Sequence, residues 1–279
     1  EARWPGVRPD TAKGVSWATA AGQRSPWAVV YVHGFSASRQ ETAPLADVIA
    51  RELGANLFYT RLTGHGGDPM AMGDATVQDW LADIQEALRI GHLLGQRVLL
   101  IGVSHGATLS VWQALQRGDA AQGVDAMALI SPNFGPRDKR SELINAPWGR
   151  QLALALEGEM RGRLSDDPRE NRAWIRRYPT RALFPMMALV RQVRQSDLSQ
   201  LRTPVLVLYA EGDRTVDPQE TVAAFARLGS AQKTLERVDY SKARDQHVLA
   251  GDLRDPQATA PMARRIVDWL RSLQLPAPG

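Results

Sequence analysis

The sequence of 279 residues contains no cysteine, an absence that excludes disulfide bonds, thiol nucleophiles and thiolate metal ligands. It also has no apolar run close to the ~20 residues that a membrane-spanning helix needs. An initiator methionine is missing as well, because the chain begins at Glu1. A removed signal or anchor and a trimmed chain both fit that start, and we favour an exported or membrane-anchored protein over a cytoplasmic one.

Several short catalytic and binding signatures are also absent. There is no phosphate-binding G-x-x-x-x-G-K-S/T loop, no H-E-x-x-H metalloprotease motif and no dinucleotide-binding G-x-G-x-x-G after the first predicted strand. The histidines are scattered rather than placed at zinc-ligand spacing. We therefore expect neither a metal nor a cofactor. What remains is a chain with 44% hydrophobic and 23% charged residues, the composition of an ordinary globular protein.

The positive charge of the chain is concentrated in one segment. The formal net charge is +4, and residues 136–198 alone hold 13 lysines and arginines against 8 aspartates and glutamates. Two interpretations are open: an ordinary solvated helical surface, or a patch that attracts anionic substrates or lipid head groups. The sequence has no recognised nucleic-acid-binding module and no regular interleaving of basic and aromatic residues, so a nucleic-acid partner is not expected.

Strand-like and helix-like segments alternate along most of the chain. The strand-like runs are residues 15–18, 28–32, 56–60, 98–103, 126–130, 205–209 and 234–238. The middle runs are continuously apolar, as expected of strands that are buried on both faces. Between and after them, apolar residues recur at helical spacing, for example in residues 77–88 and 262–273. This order predicts an α/β fold with a mostly parallel central sheet flanked by helices.

The alternation stops between residues 132 and 203. We interpret residues 132–203 as a helical cap inserted into a core that residues 1–131 and 204–279 form. The cap sequence is rich in leucine, methionine and aromatic residues, among them Phe184 and Met187. Two interpretations of these apolar residues are open, since they can form the cap's own core or the wall of a substrate pocket.

Residues 102–106, Gly-Val-Ser-His-Gly, directly follow a strand-like run and precede a helix-like segment. This context is typical of a nucleophile elbow, in which a sharp strand-to-helix turn exposes one serine above the sheet edge. We expect the two glycines to be required because the turn brings the positions two before and two after the serine against each other. Ser104 is therefore the candidate nucleophile, and the first amides of the following helix should face it.

A serine nucleophile needs a base, and the base needs an acid that orients it. In open α/β sheets, ligands bind at the carboxyl ends of strands, so these groups should follow later strands. Asp213 lies in the loop after the predicted strand 205–209, and His247 follows the predicted strand 234–238. The order serine, aspartate, histidine is the one expected for this arrangement. Asp213 also fits an ordinary turn aspartate after a glycine.

Other residues compete for both roles. Asp217 precedes a proline and fits a helix cap better than a catalytic acid. His92 lies on a predicted helix, and His65 comes too early for the expected order. His33 follows a strand but belongs to a separate motif. Elimination favours His247 as the base.

Residues 31–35, Tyr-Val-His-Gly-Phe, provide the oxyanion side of the site. Gly34 lets the chain bend after its strand, so that the Phe35 amide can point at a substrate oxygen. The second donor would be the amide of His105, directly after the nucleophile. His33 is interpreted as holding this loop through hydrogen bonds.

Five motifs in this order resemble those of the α/β-hydrolase superfamily. They are residues 33–35 (His-Gly-Phe), 61–66 (Arg-Leu-Thr-Gly-His-Gly), 102–106 (Gly-Val-Ser-His-Gly), 213–216 (Asp-Arg-Thr-Val) and 247–249 (His-Val-Leu). Within the superfamily, the set resembles the bacterial carboxylesterase and monoacylglycerol-lipase-like branch, over nearly the whole chain. The resemblance implies an α/β-hydrolase fold with a small helical cap that forms the acyl pocket.

The resemblance also implies the roles of the site residues. It implies that Ser104, His247 and Asp213 form a catalytic triad, and that the amides of Phe35 and His105 form the oxyanion hole. In such relatives the loop at residues 64–66 shapes the pocket floor rather than taking part in chemistry. The pocket residues that we predict are Gly34, His65, Phe184 and Met187.

We therefore expect a serine hydrolase that cleaves short- to medium-chain carboxylic esters of small molecules through an acyl-enzyme intermediate. A lysophospholipase, a thioesterase or a peptidase would use the same triad, and a non-catalytic ligand-binding relative is a further alternative. The arginine-rich cap is a candidate contact for a membrane surface or anionic lipid. The sequence predicts neither the physiological ester nor the oligomeric state.

Overall fold

A computed structural model describes residues 6–116 and 123–276 of the protein. In these ranges the strands are β1 (Gly14–Ser16), β2 (Ser25–Val32), β3 (Asn56–Tyr59), β4 (Gly95–Val103), β5 (Ala126–Ile130), β6 (Met160–Gly162), β7 (Arg177–Pro179), β8 (Val205–Tyr209) and β9 (Lys233–Arg237). The α-helices are α1 (Leu45–Leu53), α2 (Pro69–Met72), α3 (Val77–Leu94), α4 (His105–Ala114), α5 (Gly149–Glu157), α6 (Pro168–Ala173), α7 (Leu183–Gln195), α8 (Pro218–Arg227) and α9 (Pro256–Ser272). Within the same ranges, no helix is long and apolar enough to cross a membrane.

The central sheet has the spatial strand order β1-β3-β2-β4-β5-β8-β9. β1 runs antiparallel to β3, and the other neighbouring pairs of this sheet are parallel. This arrangement confirms the mostly parallel sheet predicted from the sequence, although several strands begin or end a few residues away from the predicted limits. Parallel pairing places the carboxyl ends of β2, β4, β5 and β8 at one edge of the sheet.

Both faces of the sheet are covered by helices. Val98 and Leu100 of β4 belong to one buried cluster, which includes residues of α3, α4 and α8. Leu99 and Ile101 belong to the other cluster, with residues of α1 and α9. All four side chains are fully buried. Successive residues of a strand point to opposite faces, so a strand covered on both faces reads as a continuous apolar run.

The insertion between β5 and β8 carries α5, α6 and α7. It is not purely helical, because β6 and β7 pair antiparallel with Met160 opposite Pro179 and Gly162 opposite Arg177. The cap therefore contains a short pair of strands that the sequence did not predict, beside its helices. Each of these strands has only three residues, which is too short for the alternation of apolar and polar residues to show in the sequence.

α7 connects the cap to the core. Leu189, Val190 and Val193 are buried in the same cluster as Leu109 and Val111 of α4. The first turns of α7 reach the cap, whereas its later turns pack on the body of the protein. Some apolar residues of the insertion thus belong to the core of the main body, which neither interpretation from the sequence predicted.

α8 begins as predicted. The Asp217 carboxylate accepts the Gln219 amide at 2.9 Å, and Pro218 occupies the first position of the helix. This confirms that Asp217 caps a helix. Asp217 also lies 2.9 Å from the Lys139 ammonium group, so its charge is engaged on the protein surface rather than in the site.

Candidate active site

Ser104 occupies the sharp turn between β4 and α4 and is 7% exposed. Its backbone angles are φ 51° and ψ −113°, a left-handed φ that is uncommon for a residue other than glycine. The turn is fixed by the chain that follows β5. The Ser104 amide donates to the Ile130 carbonyl at 2.9 Å, and the Ser104 carbonyl accepts the Asn133 amide at 3.2 Å. These bonds hold the strained conformation that a nucleophile elbow requires.

The two glycines of the elbow are needed because α4 packs closely on two strands. A Cβ on Gly102 would lie 2.7 Å from the Ala107 Cα in α4. A Cβ on Gly106 would lie 2.7 Å from the carbonyl oxygen of His33, just after β2. Both distances are too short for a side chain. The glycines thus make room for the first turn of α4 and for the end of β2.

Asp213 and His247 come together in the loops after β8 and β9. The His247 Nδ1 lies 2.8 Å from Asp213 Oδ2. The other carboxylate oxygen of Asp213 accepts the Thr215 and Val216 amides at 2.7 and 2.9 Å. Both members of the pair are buried. Because the carboxylate engages Nδ1, Nε2 is the ring nitrogen available to act as a base.

The loop that carries His247 is fixed from two sides. The Ser131 hydroxyl, just after β5, donates to the His247 carbonyl at 2.6 Å. The His247 amide donates to Asp245 Oδ1 at 3.2 Å. Gln246 has a left-handed φ of 52°, and its side-chain amide donates to two carbonyls of the same loop. The imidazole is thus held in place by its backbone as well as by Asp213.

Neighbouring charges favour the protonated form of His247. Burial lowers the pKa of His247, but the hydrogen bond and charge of Asp213, followed by the charges of Asp245 and Glu41, raise it by more. The resulting pKa lies above the ordinary value of 6.5. An imidazole with such a pKa can take a proton from a hydroxyl and return it in a later step.

The turn after β2 places the Phe35 amide near the elbow. The amides on either side of it are engaged, that of Gly34 by Glu41 Oε1 at 2.7 Å and that of Ser36 by His65 Nε2 at 3.0 Å. In residues 6–116 and 123–276 the Phe35 amide has no protein acceptor. A Cβ on Gly34 would lie 3.3 Å from the Cβ of the elbow serine, so this turn passes directly beside the candidate nucleophile.

His105 is the first residue of α4, so its amide has no partner within the helix. Its side chain is fully buried, and neither ring nitrogen has a hydrogen-bond partner among the described residues. The ring packs edge-on against Trp80, with the centroids 4.9 Å apart. Burial, together with the charge of His65, lowers the pKa of His105 to about 3, so the ring is neutral. The side chain is a packing group, and the amide is the part that can serve chemistry.

Ser104, His247 and Phe35 line one cavity of about 660 Å³. Its apolar lining includes Leu152, Trp174, Tyr178, Leu183, Met186 and Met187. Polar side chains of the same cavity include Asn133, Asp245 and Arg254. A cavity with both kinds of lining suits a ligand with an apolar part and a polar part.

Met187 lines this cavity, but Phe184 does not. Phe184 precedes Met186 by two residues, and at 3.6 residues per turn this spacing points its side chain to a different face of α7. That face lines a separate surface groove of about 500 Å³, where the Arg150 guanidinium lies over the Phe184 ring at 5.3 Å. The prediction of Phe184 as a pocket residue is therefore wrong.

His65 and Gly34 support or form the turn after β2 and do not line the cavity. His65 is 1% exposed, and its ring packs edge-on against Phe35 with the centroids 5.9 Å apart. Burial lowers the pKa of His65 to about 4, which keeps the ring neutral and able to accept the Ser36 amide. Both were predicted as pocket residues. The structure corrects this prediction, because Phe35 stands between His65 and the cavity wall, and Gly34 contributes only backbone.

His33 has the loop-holding hydrogen bonds expected from the sequence. Its Nε2 accepts the Leu62 amide at 3.0 Å, so Nδ1 carries the proton and donates to the Gly34 carbonyl at 2.8 Å. Burial, followed by the charge of His65, lowers the pKa of His33 well below its ordinary value. The neutral ring thus joins the turn after β2 to the loop after β3.

Two charged residues near the site, Arg254 and Glu41, were not predicted from the sequence. Arg254 lines the cavity, where its guanidinium lies 4.4 Å from the Trp174 ring centroid and donates to Glu170 at 2.7 Å. Glu41 is buried against the turn after β2, where it accepts the Gly34 amide. Both lie outside periodic segments and known motifs. The only sequence signal for Glu41 was its closeness to the His-Gly-Phe motif.

The fold and the serine elbow define an α/β hydrolase. The sequence matches the family described as serine aminopeptidase, S33, over residues 23–242, and the chain belongs to this family. The superfamily inferred from the five motifs is thereby confirmed.

The similar proteins include lipolytic enzymes. A thermostable monoacylglycerol lipase from Bacillus sp. (strain H-257) is 25% identical over 234 residues, which are 84% of this chain and 88% of that protein. A structure from work on LipS and LipT, two metagenome-derived lipolytic enzymes, has a TM-score of 0.74 at 22% identity and covers 96% of this chain and 100% of its own. The monoacylglycerol lipase of Paleococcus ferrophilus has a TM-score of 0.69 at 18% identity, covering 94% and 98%. These likenesses confirm the fold.

Substitution of Asp213 by asparagine should lower the pKa of His247. The carboxylate provides the largest of the effects that raise this pKa, and without it burial dominates. Proton NMR of the imidazole Cε1–H across a pH titration measures the change, with His247→Ala to assign the resonance. The expected result is a pKa above 6.5 in the wild type and a lower pKa in Asp213→Asn. Equal values in the two proteins would contradict this account.

Proposed function

We propose that the protein is a serine hydrolase that cleaves carboxylic esters of small molecules through an acyl-enzyme intermediate. The observation that carries the proposal is the contact of His247 with Asp213, at 2.8 Å, beside the cavity that Ser104 also lines. The strained elbow at Ser104 supports the same assignment. Similarity to a monoacylglycerol lipase supports an oxygen ester as the substrate.

In the first half of the proposed reaction, Ser104 attacks the ester carbonyl while His247 accepts the hydroxyl proton at Nε2. The amides of Phe35 and His105 donate to the oxyanion, and each such donor is worth about 3–4 kcal/mol to the transition state. The imidazolium then gives its proton to the departing alcohol. The acyl group stays on the serine oxygen.

In the second half, a water molecule attacks the acyl-enzyme while His247 accepts a proton from it. The same two amides support the second oxyanion. As this intermediate collapses, the imidazolium returns its proton to the serine oxygen, which releases the acid and restores both Ser104 and the neutral His247. Asp213 stays ionised throughout and keeps Nδ1 of the imidazole protonated. The two amides that bond to its second oxygen fix the carboxylate in this orientation.

The same groups would also hydrolyse a thioester, a lysophospholipid or a peptide. The proposal of an oxygen ester rests on the similarity to a lipase and on the cavity, which combines an apolar wall with a few polar groups. A non-catalytic ligand-binding role would leave the Asp213–His247 pair and the strained elbow without a purpose. Ester hydrolysis uses both.

Substitution of Ser104 by alanine should reduce ester hydrolysis to under ~1% of the wild-type rate, because no other hydroxyl in the described cavity is placed in a nucleophile elbow. The unfolding midpoint should change little. Ser110→Ala is the matched control, since it removes another buried serine hydroxyl of α4. It should keep most of the activity. Retention of more than ~5% activity in Ser104→Ala would contradict the proposal.

We also propose a preference for short to medium acyl chains. Part of the cavity is lined by Asn133, Asp245 and Arg254, so only the remainder offers an apolar surface to an acyl chain. The apolar part lies between the first turns of α7, with Met186 and Met187, and the aromatic side chains of the cap. A long chain would have to leave this space.

A series of nitrophenyl esters from C2 to C16 measures the acyl preference. The expected kcat/KM rises to an optimum at short or medium chains and falls towards C16. Met187→Ala should shift the optimum to longer chains because the smaller side chain enlarges the apolar part of the cavity. Phe184→Ala is the matched control on the same helix and should leave the optimum unchanged, since Phe184 faces the other groove. An optimum at C16 in the wild type would overturn the proposed preference.

A contact of the cap with an anionic lipid surface is a second proposal. Large apolar side chains are exposed along residues 143–164, namely Leu143, Trp148, Leu154, Leu156 and Leu164. The surrounding segment carries the excess of arginine noted in the sequence. Some of these arginines are paired, as Arg140 is with Asp138 at 2.7 Å. Exposed apolar groups beside positive charge suit binding to anionic lipid.

Co-sedimentation with lipid vesicles tests the cap surface. Binding to vesicles with phosphatidylglycerol should exceed binding to pure phosphatidylcholine and should weaken with salt. The double variant Trp148→Ser/Leu164→Ser should reduce binding by roughly tenfold. Leu93→Ser is the matched control, because Leu93 is even more exposed than Trp148 and Leu164 but lies at the end of α3. Equal binding of the double variant and the control would contradict the proposal.

A further inference from the structure

Glu41 is a buried carboxylate beside the candidate site that the steps above do not use. It is 2% exposed and ends a short 3-10 helix at Arg39–Glu41. The Gly34 amide and the Tyr31 hydroxyl both donate to its Oε1, at 2.7 and 3.0 Å. We propose that Glu41 is a positioning residue of the turn after β2, residues 33–36, which we call the oxyanion turn. Its carboxylate holds the Gly34 amide and thereby aims the next amide, that of Phe35, at the substrate oxygen.

The Glu41 carboxylate and the candidate nucleophile both lie close to Gly34, on the side where a side chain would project. A Cβ on Gly34 would be 3.1 Å from Glu41 Oε2 and 3.3 Å from Ser104 Cβ. Glu41 and Ser104 thus both border the Gly34 position. Because Glu41 also accepts the Gly34 amide, a movement of its side chain would shift the turn relative to the serine.

The turn is otherwise held through its carbonyl and through the amide after Phe35. The Gly34 carbonyl accepts from His33 Nδ1 at 2.8 Å and from the Ala37 amide at 3.2 Å. The Ser36 amide is bound by His65. Glu41 holds the remaining amide, which directly precedes the oxyanion donor. Loss of this contact would free one side of the peptide unit that carries the Phe35 N–H.

The charge of Glu41 also acts on His247. It is one of three carboxylates that raise the pKa of His247, after Asp213 and Asp245. His247 becomes positively charged in the same step in which the oxyanion forms. An ionised Glu41 would therefore favour this step twice, by holding the turn and by supporting the imidazolium. An uncharged side chain at this position would retain at most the first effect.

Glu41 titrates near neutrality. Burial raises the pKa of Glu41, whereas the hydrogen bonds from Gly34 and Tyr31 and the charges of His247 and Arg254 lower it. The effect of burial is larger, and the net pKa is about 7. The charge of each of Glu41 and His247 shifts the pKa of the other, so the two groups titrate as a coupled pair. Both must lose a proton for the site to have an ionised Glu41 and a neutral base. The acid limb of the activity profile should report both losses.

The test rests on the proposed function, because it follows hydrolysis by Ser104. Glu41→Gln keeps the shape of the side chain and removes its charge. Its kcat should fall by roughly tenfold with KM within about twofold, because a neutral amide oxygen accepts the Gly34 amide more weakly and provides no charge to support the imidazolium in the transition state. The acid limb of kcat/KM should move to lower pH, because one ionisation and one pKa-raising charge are removed. Titration of active sites with a fluorophosphonate corrects the rates for any unfolded fraction.

Two further variants separate positioning from general stability. Tyr31→Phe removes a hydrogen bond that lowers the pKa of Glu41, so its acid limb should move to higher pH, opposite to Glu41→Gln. Asp83→Asn is the matched control. Asp83 is another buried carboxylate, which accepts the Thr63 amide at 2.6 Å, and its charge is not among those that shift the pKa of His247. Its acid limb should stay at the wild-type pH.

The outcomes distinguish this proposal from the proposed function. A wild-type protein that neither reacts with the fluorophosphonate nor hydrolyses esters overturns the proposed function. If the wild type is active and Glu41→Gln has the same acid limb or the same kcat as the wild type, only the role of Glu41 is overturned. If Glu41→Gln does not fold, an acid limb of Tyr31→Phe at the wild-type pH overturns that role as well.

Discussion

The parallel pairing of β4 between β2 and β5 is the constraint on which the site depends. Gly102 pairs with Val32, and Val103 pairs with Ile130, so the three strands end at the same level. The pairing of Ile130 with Leu208 extends this level to β8. The oxyanion turn, the elbow, the Ser131 loop and the Asp213 loop therefore leave the sheet side by side. A slip of one residue in any pair would displace a group by about 3.3 Å and separate the site.

Buried polar groups then fix the loops that leave this edge. Neutral imidazoles of His33 and His65 accept backbone amides, and the carboxylates of Asp213 and Glu41 do the same. Each bond orients a loop in advance and so costs no reorganisation during a reaction. Burial of these groups is expensive, and the left-handed φ of the elbow serine adds strain. Such features are typical of functional sites, where a less stable local conformation places the functional groups correctly.

The cap is attached to the same turn that holds the Phe35 amide, the proposed oxyanion donor. The Ile175 amide donates to the Ser36 carbonyl at 2.7 Å, and the Ser38 hydroxyl donates to the Ala173 carbonyl at 2.9 Å. Phe35 itself packs beside a small cluster that includes Ile175. The position of the cap and the geometry of the turn are therefore coupled. Any motion of the cap at these contacts would pull directly on the peptide next to Phe35.

The sheet and the positions of Ser104, Asp213 and His247 could be predicted because they follow from local patterns: continuous apolar runs and the residues just after them. The pocket could not. Whether Phe184 or Met187 faces the cavity depends on the phase of α7, which is set by packing against α4 rather than by its own sequence. The role of Glu41 depends on its contact with the Gly34 amide across the turn. No periodic pattern of the sequence predicts this contact.

The central claim, that Ser104 is activated by His247, is tested most directly by mass spectrometry after incubation with a fluorophosphonate. The wild type and His247→Ala would be treated together, and the modified residue located in peptides. The account predicts a stoichiometric adduct on Ser104 in the wild type and its loss in His247→Ala. A wild type without an adduct, or an adduct that forms equally well without His247, would contradict it.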